Sequence, residues 1–123
     1  MSTVASVEVK SFDSPDEVRQ FAGHGEAHVI EMAGKTVIRS EFEPGWRWTV
    51  DIKPIAGTDT CQTRHFGYCE SGRMKVYMDD GTEMECGPGD LVSIEPGHDA
   101  EVVSDEPCVF VDFGDVAQYA KSS

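Results

Sequence analysis

The chain has 123 residues, enough for one buried core and too few for two of ordinary size. Its 23 acidic residues against 10 basic ones leave a net charge of −13, a surface that repels phosphate backbones and argues against nucleic-acid binding. No apolar run approaches the roughly 20 residues of a membrane span, and the N-terminal MSTVASVEVK has no charged segment leading into an apolar one, so a cytoplasmic protein without a membrane partner is expected.

In chain order, the first predicted element is a short N-terminal helix over 15–22. Ser14 suits the N-cap, Pro15 the first helical position, Glu17 stands three residues after the cap, and Gly23 ends the run. Beyond Gly25 the texture changes to short runs rich in Val, Ile, Phe, Tyr and Trp, separated by turn residues. This pattern predicts strands near 28–32, 35–42, 46–52, 63–70, 73–78, 83–86, 91–94, 100–104 and 108–113. Strands so closely spaced exclude a parallel βαβ architecture, whose crossovers need about a dozen residues or more, and leave an antiparallel barrel or sandwich. Ser71-Gly72 and Asp79-Asp80-Gly81 read as hairpin tips joining 63–70, 73–78 and 83–86 into a meander. Within 73–78, Met74, Val76 and Met78 share one face and Arg73, Lys75 and Tyr77 the other, which marks a core side and a wetter side. The tail, 115–121, reads as one helical turn or a frayed end.

Four cysteines, Cys61, Cys69, Cys86 and Cys108, show no C-x-x-C spacing, and in a reducing compartment they serve as small apolar core groups. Cys61 differs, because it stands in a polar loop close to His65.

The stretch from His65 through Gly67, Glu70 and Gly72 to Met74, then Asp80-Gly81-Thr82-Glu83, then Gly87-Pro88-Gly89-Asp90 through Pro96-Gly97-His98, resembles the small single-domain cupins. The resemblance covers about residues 40–113 and implies one domain over 1–123, an all-β, cupin-type antiparallel β-barrel (a double-stranded β-helix or jelly roll) with the short helix before it. The second motif is the more specific. Gly89-Asp90 followed six residues on by Pro96-Gly97 feeds a buried strand through one tight turn and ends it in another. The first motif departs from the family: counting back from Gly72, His65 takes the place usual for the Glu, Cys61 that of the second His, and Asp59 that of the first. In the second motif the family's His stands three residues after the Gly, where this chain has Ala100, while His98 follows Gly97 directly. Either the turn is two residues shorter and His98 takes the ligand place, or that ligand is missing.

What the resemblance implies about chemistry is one divalent transition metal inside the barrel, with His65, His98 and Cys61 as its ligands. A mixed His/Cys set suits zinc, iron or nickel better than magnesium, and the candidate ions are iron, nickel, zinc, manganese and copper. The alternative is a metal-free site in which both histidines only hydrogen-bond a ligand. Four residues of regular strand span about 13 Å, so Cys61 and His65 meet at one ion only if the chain turns between them.

On a strand, Trp46 and Trp48 would point to one face and Arg47 to the other, either filling the core or walling a pocket for a small-molecule ligand. Tyr68 and Arg64 are candidate ligand contacts at its mouth. Asp99, beside His98, either orients that imidazole or serves the turn. His24 and His28 lie outside the motifs and are read as ordinary. No phosphate loop, dinucleotide fingerprint or nucleophile elbow is present, and no catalytic residue is singled out. The expected function is small-molecule binding, with a metal-dependent oxygenase, isomerase or lyase as its enzymatic form. The rivals are a metal-free sensory module and a dimerisation scaffold, and a homodimer is expected in each case.

Overall fold

The structure is a computed structural model and describes residues 6–121. Nine strands, β1 (Glu17–Gln20), β2 (Gly25–Met32), β3 (Lys35–Phe42), β4 (His65–Ser71), β5 (Met74–Met78), β6 (Glu83–Cys86), β7 (Leu91–Ile94), β8 (His98–Val102) and β9 (Cys108–Asp112), form two antiparallel sheets. The larger runs β1-β2-β3-β9-β4-β7 and the smaller β6-β5-β8. The two sheets face each other without closing into one hydrogen-bonded barrel. Ile38, Cys69 and Phe110 of the larger sheet pack with Met74, Val76, Ala100 and Val102 of the smaller in one apolar core. No helix among the described residues is long and apolar enough to cross a membrane.

Short helix is present, but not where the capping residues point. The stretch 15–22 holds strand β1, paired with β2 from Glu17↔Val29 to Gln20↔Glu26. Val18 to Gln20 offer no apolar stripe for a helix to bury. Asp16, inside the expected helix, is instead used across the sheet, where the Glu31 N–H donates to its Oδ2 at 2.8 Å.

The stretch 46–52 is likewise not a strand. Two single-turn helices, α1 (Trp48–Asp51) and α2 (Lys53–Ala56), fill it after a turn at Gly45. Buried Asp51 accepts the Arg47 N–H at 2.9 Å, Pro54 stands in the first turn of α2 where a missing N–H costs nothing, and Gly57 ends the pair at φ 77°. Trp46 and Trp48 therefore owe their common burial to a turn, not to strand alternation.

The meander survives in part. β5 and β6 form the expected hairpin through Gly81, but β4 pairs with β7 and β9 in the other sheet. Ser71-Gly72 is a corner between sheets. Gly72 holds φ 72°, and any Cβ there would collide with the Pro107 carbonyl.

Candidate metal centre and its cavity

Three chain segments bring Cys61, His65 and His98 together. His98 opens β8 straight after Gly97, whose φ of 93° makes the turn. Cys61 pairs with it through the backbone: the Cys61 N–H donates to the His98 carbonyl at 2.7 Å, and the His98 N–H returns to the Cys61 carbonyl at 3.2 Å. Residues 62–64 belong to no strand, and β4 begins at His65. Cys61 Sγ then lies 3.5 Å from His65 Nε2, and one ligand atom from each of the three buried residues lies within 4.8 Å of the others.

Each imidazole is anchored through its other nitrogen. His65 Nδ1 lies 2.5 Å from Asp112 Oδ2, and His98 Nδ1 lies 2.8 Å from the Glu95 carbonyl oxygen. Neutral rings held this way carry the proton on Nδ1 and turn the Nε2 lone pair toward the thiol, the arrangement that metal-binding histidines use. Zinc–sulfur and zinc–nitrogen bond lengths set a tetrahedral S···N edge of about 3.6 Å, so the 3.5 Å separation already fits a shared ion. Asp112 is itself held, because its Oδ1 accepts the N–H groups of Phe66 (3.2 Å) and Gly114 (2.9 Å).

Electrostatics couples the thiol and the imidazole. Burial alone raises the Cys61 pKa, but hydrogen bonds from His65 and His98 overrule it and bring it to about 6. Burial alone lowers the His65 pKa, and the Asp112 carboxylate and Cys61 outweigh it and lift it to about 9. Tyr119 closes the group. Its ring meets His65 edge-on at 5.2 Å, and burial pushes its phenol well above the usual range.

His65 and His98 face a cavity of about 30 Å³ between the two sheets. Pockets for drug-sized ligands run to several hundred Å³, so this one admits only a molecule of a few heavy atoms. Trp46, Trp48, Phe42, Phe110 and Tyr119 wall it.

The remaining sequence-predicted residues lie elsewhere. Tyr68 projects from the outer face of β4 and is 44% exposed, while Arg64 pairs with Glu95 at 2.9 Å on the surface; neither lines the cavity. Asp99 does not orient His98; it takes the Arg47 guanidinium at 2.8 Å and the Thr49 N–H at 3.2 Å. His24 pairs with Asp51 and His28 with Glu26, both away from the cluster. Sequence reasoning missed Asp112, the Glu95 carbonyl and Tyr119. For Asp112 a signal existed, since an acid ending an apolar strand is unusual, but nothing local linked it to His65.

No curated protein matches the chain in sequence. Solved structures show the same fold. A conserved protein with a double-stranded β-helix domain from Klebsiella pneumoniae is 19% identical over 89% of this chain and 90% of its own, with a TM-score of 0.59. An RmlC-like cupin from Shewanella frigidimarina is 15% identical over 83% and 86%, with a TM-score of 0.54. The oxalate decarboxylase of Lactobacillus farciminis, solved as a formate complex, is 16% identical over 80% of this chain but 30% of its own, with a TM-score of 0.54. Residues 49–114 match the family model of the cupin domain, more than half of the chain, and the chain belongs to the cupin family.

Proposed function

We propose that the protein is a metal-dependent, small-molecule-binding cupin in which Cys61, His65 and His98 hold one divalent transition metal beside the inter-sheet cavity. The observation that carries this reading is the tethering of both imidazoles through Nδ1, which leaves two Nε2 atoms and one thiol to converge. One thiolate and two imidazoles favour zinc, iron, nickel or copper over magnesium. Three protein ligands leave a coordination position for water or substrate, and a metal there supplies Lewis acidity toward a carbonyl or carboxylate oxygen. An oxygenase, isomerase or lyase acting on a small oxygenated compound is the enzymatic form of the reading.

The test is metal content by mass spectrometry on protein purified without chelator, beside His98→Ala. Near-stoichiometric metal that falls in the variant supports the reading. Metal-free protein that gains no thermal stability from added zinc, iron, nickel, manganese or copper overturns it.

A second reading has its own support in the line Cys61–His65–Asp112. Without an ion, this line is a thiolate–imidazolium pair steadied by a carboxylate, the arrangement of an activated thiol or of a metal-free binding site. In that case His65→Ala alters thiol reactivity or ligand affinity while metal content stays at zero.

Homodimer formation is proposed on the outer face of the larger sheet. Phe66 and Tyr68 on β4 share that face with Leu91 on β7, and all three are substantially exposed. Apolar side chains clustered this way on a sheet face commonly mark contact with another protein surface.

A further inference from the structure

The cavity wall holds two unpaired hydrogen-bond donors, and its one carboxylate is already engaged. Both tryptophans of the chain line it, both are about 2% exposed, and neither indole Nε1–H finds a hydrogen-bond partner among the described residues. Buried N–H groups left unpaired are uncommon, and each costs free energy unless a ligand or solvent takes it up. Ser40 and Tyr119 also line it, with hydroxyls able to donate or to accept. The one carboxylate there, Asp112, is engaged by His65 and by two backbone N–H groups, so it has little capacity left for a ligand.

We propose that the cavity binds a small monocarboxylate, whose oxygens accept hydrogen bonds from the Nε1–H groups of Trp46 and Trp48. The choice rests on matching chemistry. A carboxylate offers acceptors only, with about four lone-pair sites on two oxygens, and hydrogen bonds to an ionised acceptor are roughly twice as strong as neutral ones. The short hydrocarbon end fits the aromatic and aliphatic remainder of the wall, and the cavity volume limits it to a few heavy atoms. An ammonium ligand brings donors only and would leave both indole N–H groups unpaired. The inference rests on the reading of this cavity as the ligand site of a metal-binding cupin, and it specifies the ligand class.

Because the chain has only two tryptophans, its proton–nitrogen NMR spectrum contains two indole cross-peaks, and each reports one of these donors. The experiment titrates sodium acetate into zinc-loaded and metal-free protein, with sodium chloride at matched ionic strength and acetamide as the neutral isostere. Trp46→Phe and Trp48→Phe keep an aromatic ring, smaller than indole, and lose the N–H. Zinc content is measured by mass spectrometry on the same samples.

The expected result is a saturable shift of both indole cross-peaks with acetate and not with chloride, and acetate binding weakened about tenfold or more in each Phe variant that retains wild-type circular dichroism. Indole signals that stay in place in both protein forms overturn the proposal. So does an effect of acetamide equal to that of acetate, or acetate affinity unchanged in both variants. If a variant misfolds, the wild-type titration still decides. Absence of zinc uptake counts against the metal reading alone, whereas silent indoles in protein that does take up zinc count against the carboxylate alone.

Discussion

His65 Nδ1 and Asp112 Oδ2 lie 2.5 Å apart across the β4–β9 ladder, both side chains almost wholly withdrawn from water. The pair does two things: it fixes which ring nitrogen faces Cys61, and it sets the charge of the ring. Asp112→Asn keeps the size and loses the charge. Metal affinity is expected to fall about 10- to 100-fold, as when other second partners of metal-bound histidines are removed, read by competition with a chromophoric chelator.

The same substitution has a pH signature in metal-free protein. The folded-state pKa of His65, about 9, lies above the ordinary value near 6.5. Its contribution to stability is therefore fully present below about 6.5 and is lost as the pH rises through about 9. Breaking a buried pair by removing one partner costs about 3 kcal/mol or more. Asp112→Asn should cost that much at pH 6 and distinctly less at pH 10 in urea unfolding, and an equal cost at both would show that His65 is neutral throughout.

Metal uptake should release protons. At pH 7.5 Cys61, at about 6, is already a thiolate, while His65, at about 9, carries a proton on the atom an ion needs. Zinc added to weakly buffered protein should liberate about one proton per ion, measured with an indicator dye, and affinity should fall as the pH drops below about 9 and more steeply below about 6, where Cys61 also takes up a proton. Cys61→Ser should abolish the sulfur-to-metal charge-transfer absorption of the cobalt form. Cobalt absorption unchanged in that variant would exclude the thiol as a ligand.

Arg19 ties the C-terminal turn to β1. Its Nη1 donates to the carbonyls of Val116 (3.2 Å) and Tyr119 (2.9 Å), and Glu17 balances its charge. Arg19→Ala leaves both carbonyls without that donor and should cost about 2–3 kcal/mol. Faster hydrogen exchange across 116–120, with protection of β4 and β9 retained, is the expected pattern. Loss of protection everywhere would mean that the turn is not an independent unit.

Gly67 lies on β4 opposite Asp112. A Cβ there would collide with the Val111 carbonyl and press on the Phe110 ring. Gly67→Ala should destabilise by about 1–3 kcal/mol through overpacking, and it should weaken metal binding as well, because it separates the two strands that carry Asp112 and His65. Chemical unfolding and zinc competition on the same sample measure both.

On the outer face, Leu91→Glu should shift the mass measured by light scattering from dimer to monomer while leaving the melting temperature of the monomer unchanged. A wild-type chain already monomeric at high concentration removes the homodimer.

Much of the architecture was legible in local pattern, and the exceptions have one cause. Strands β3, β6 and β7 fall at their predicted bounds because alternation and flanking turn residues act over a few positions. Pro96-Gly97-His98 and the loop before His65 pointed to Cys61, His65 and His98 for the same reason, as the turn chemistry there is local. The N-terminal capping residues misled because residues 17–20 pair with β2 and Asp16 meets Glu31, 15 positions away, across the sheet, and such pairing overrides a weak helix signal. Asp112 meets His65 across 47 positions, and Arg19 meets Tyr119 across 100. Such pairs are set by strand order and register, which no short window of sequence contains. The sequence by itself determined the strand-rich class, the turns and the metal-type side chains. Only the tertiary structure decided which acceptor holds each imidazole, that both tryptophans line one cavity where a helical turn starts and that Tyr119 closes the site, because each of these depends on how distant segments pack.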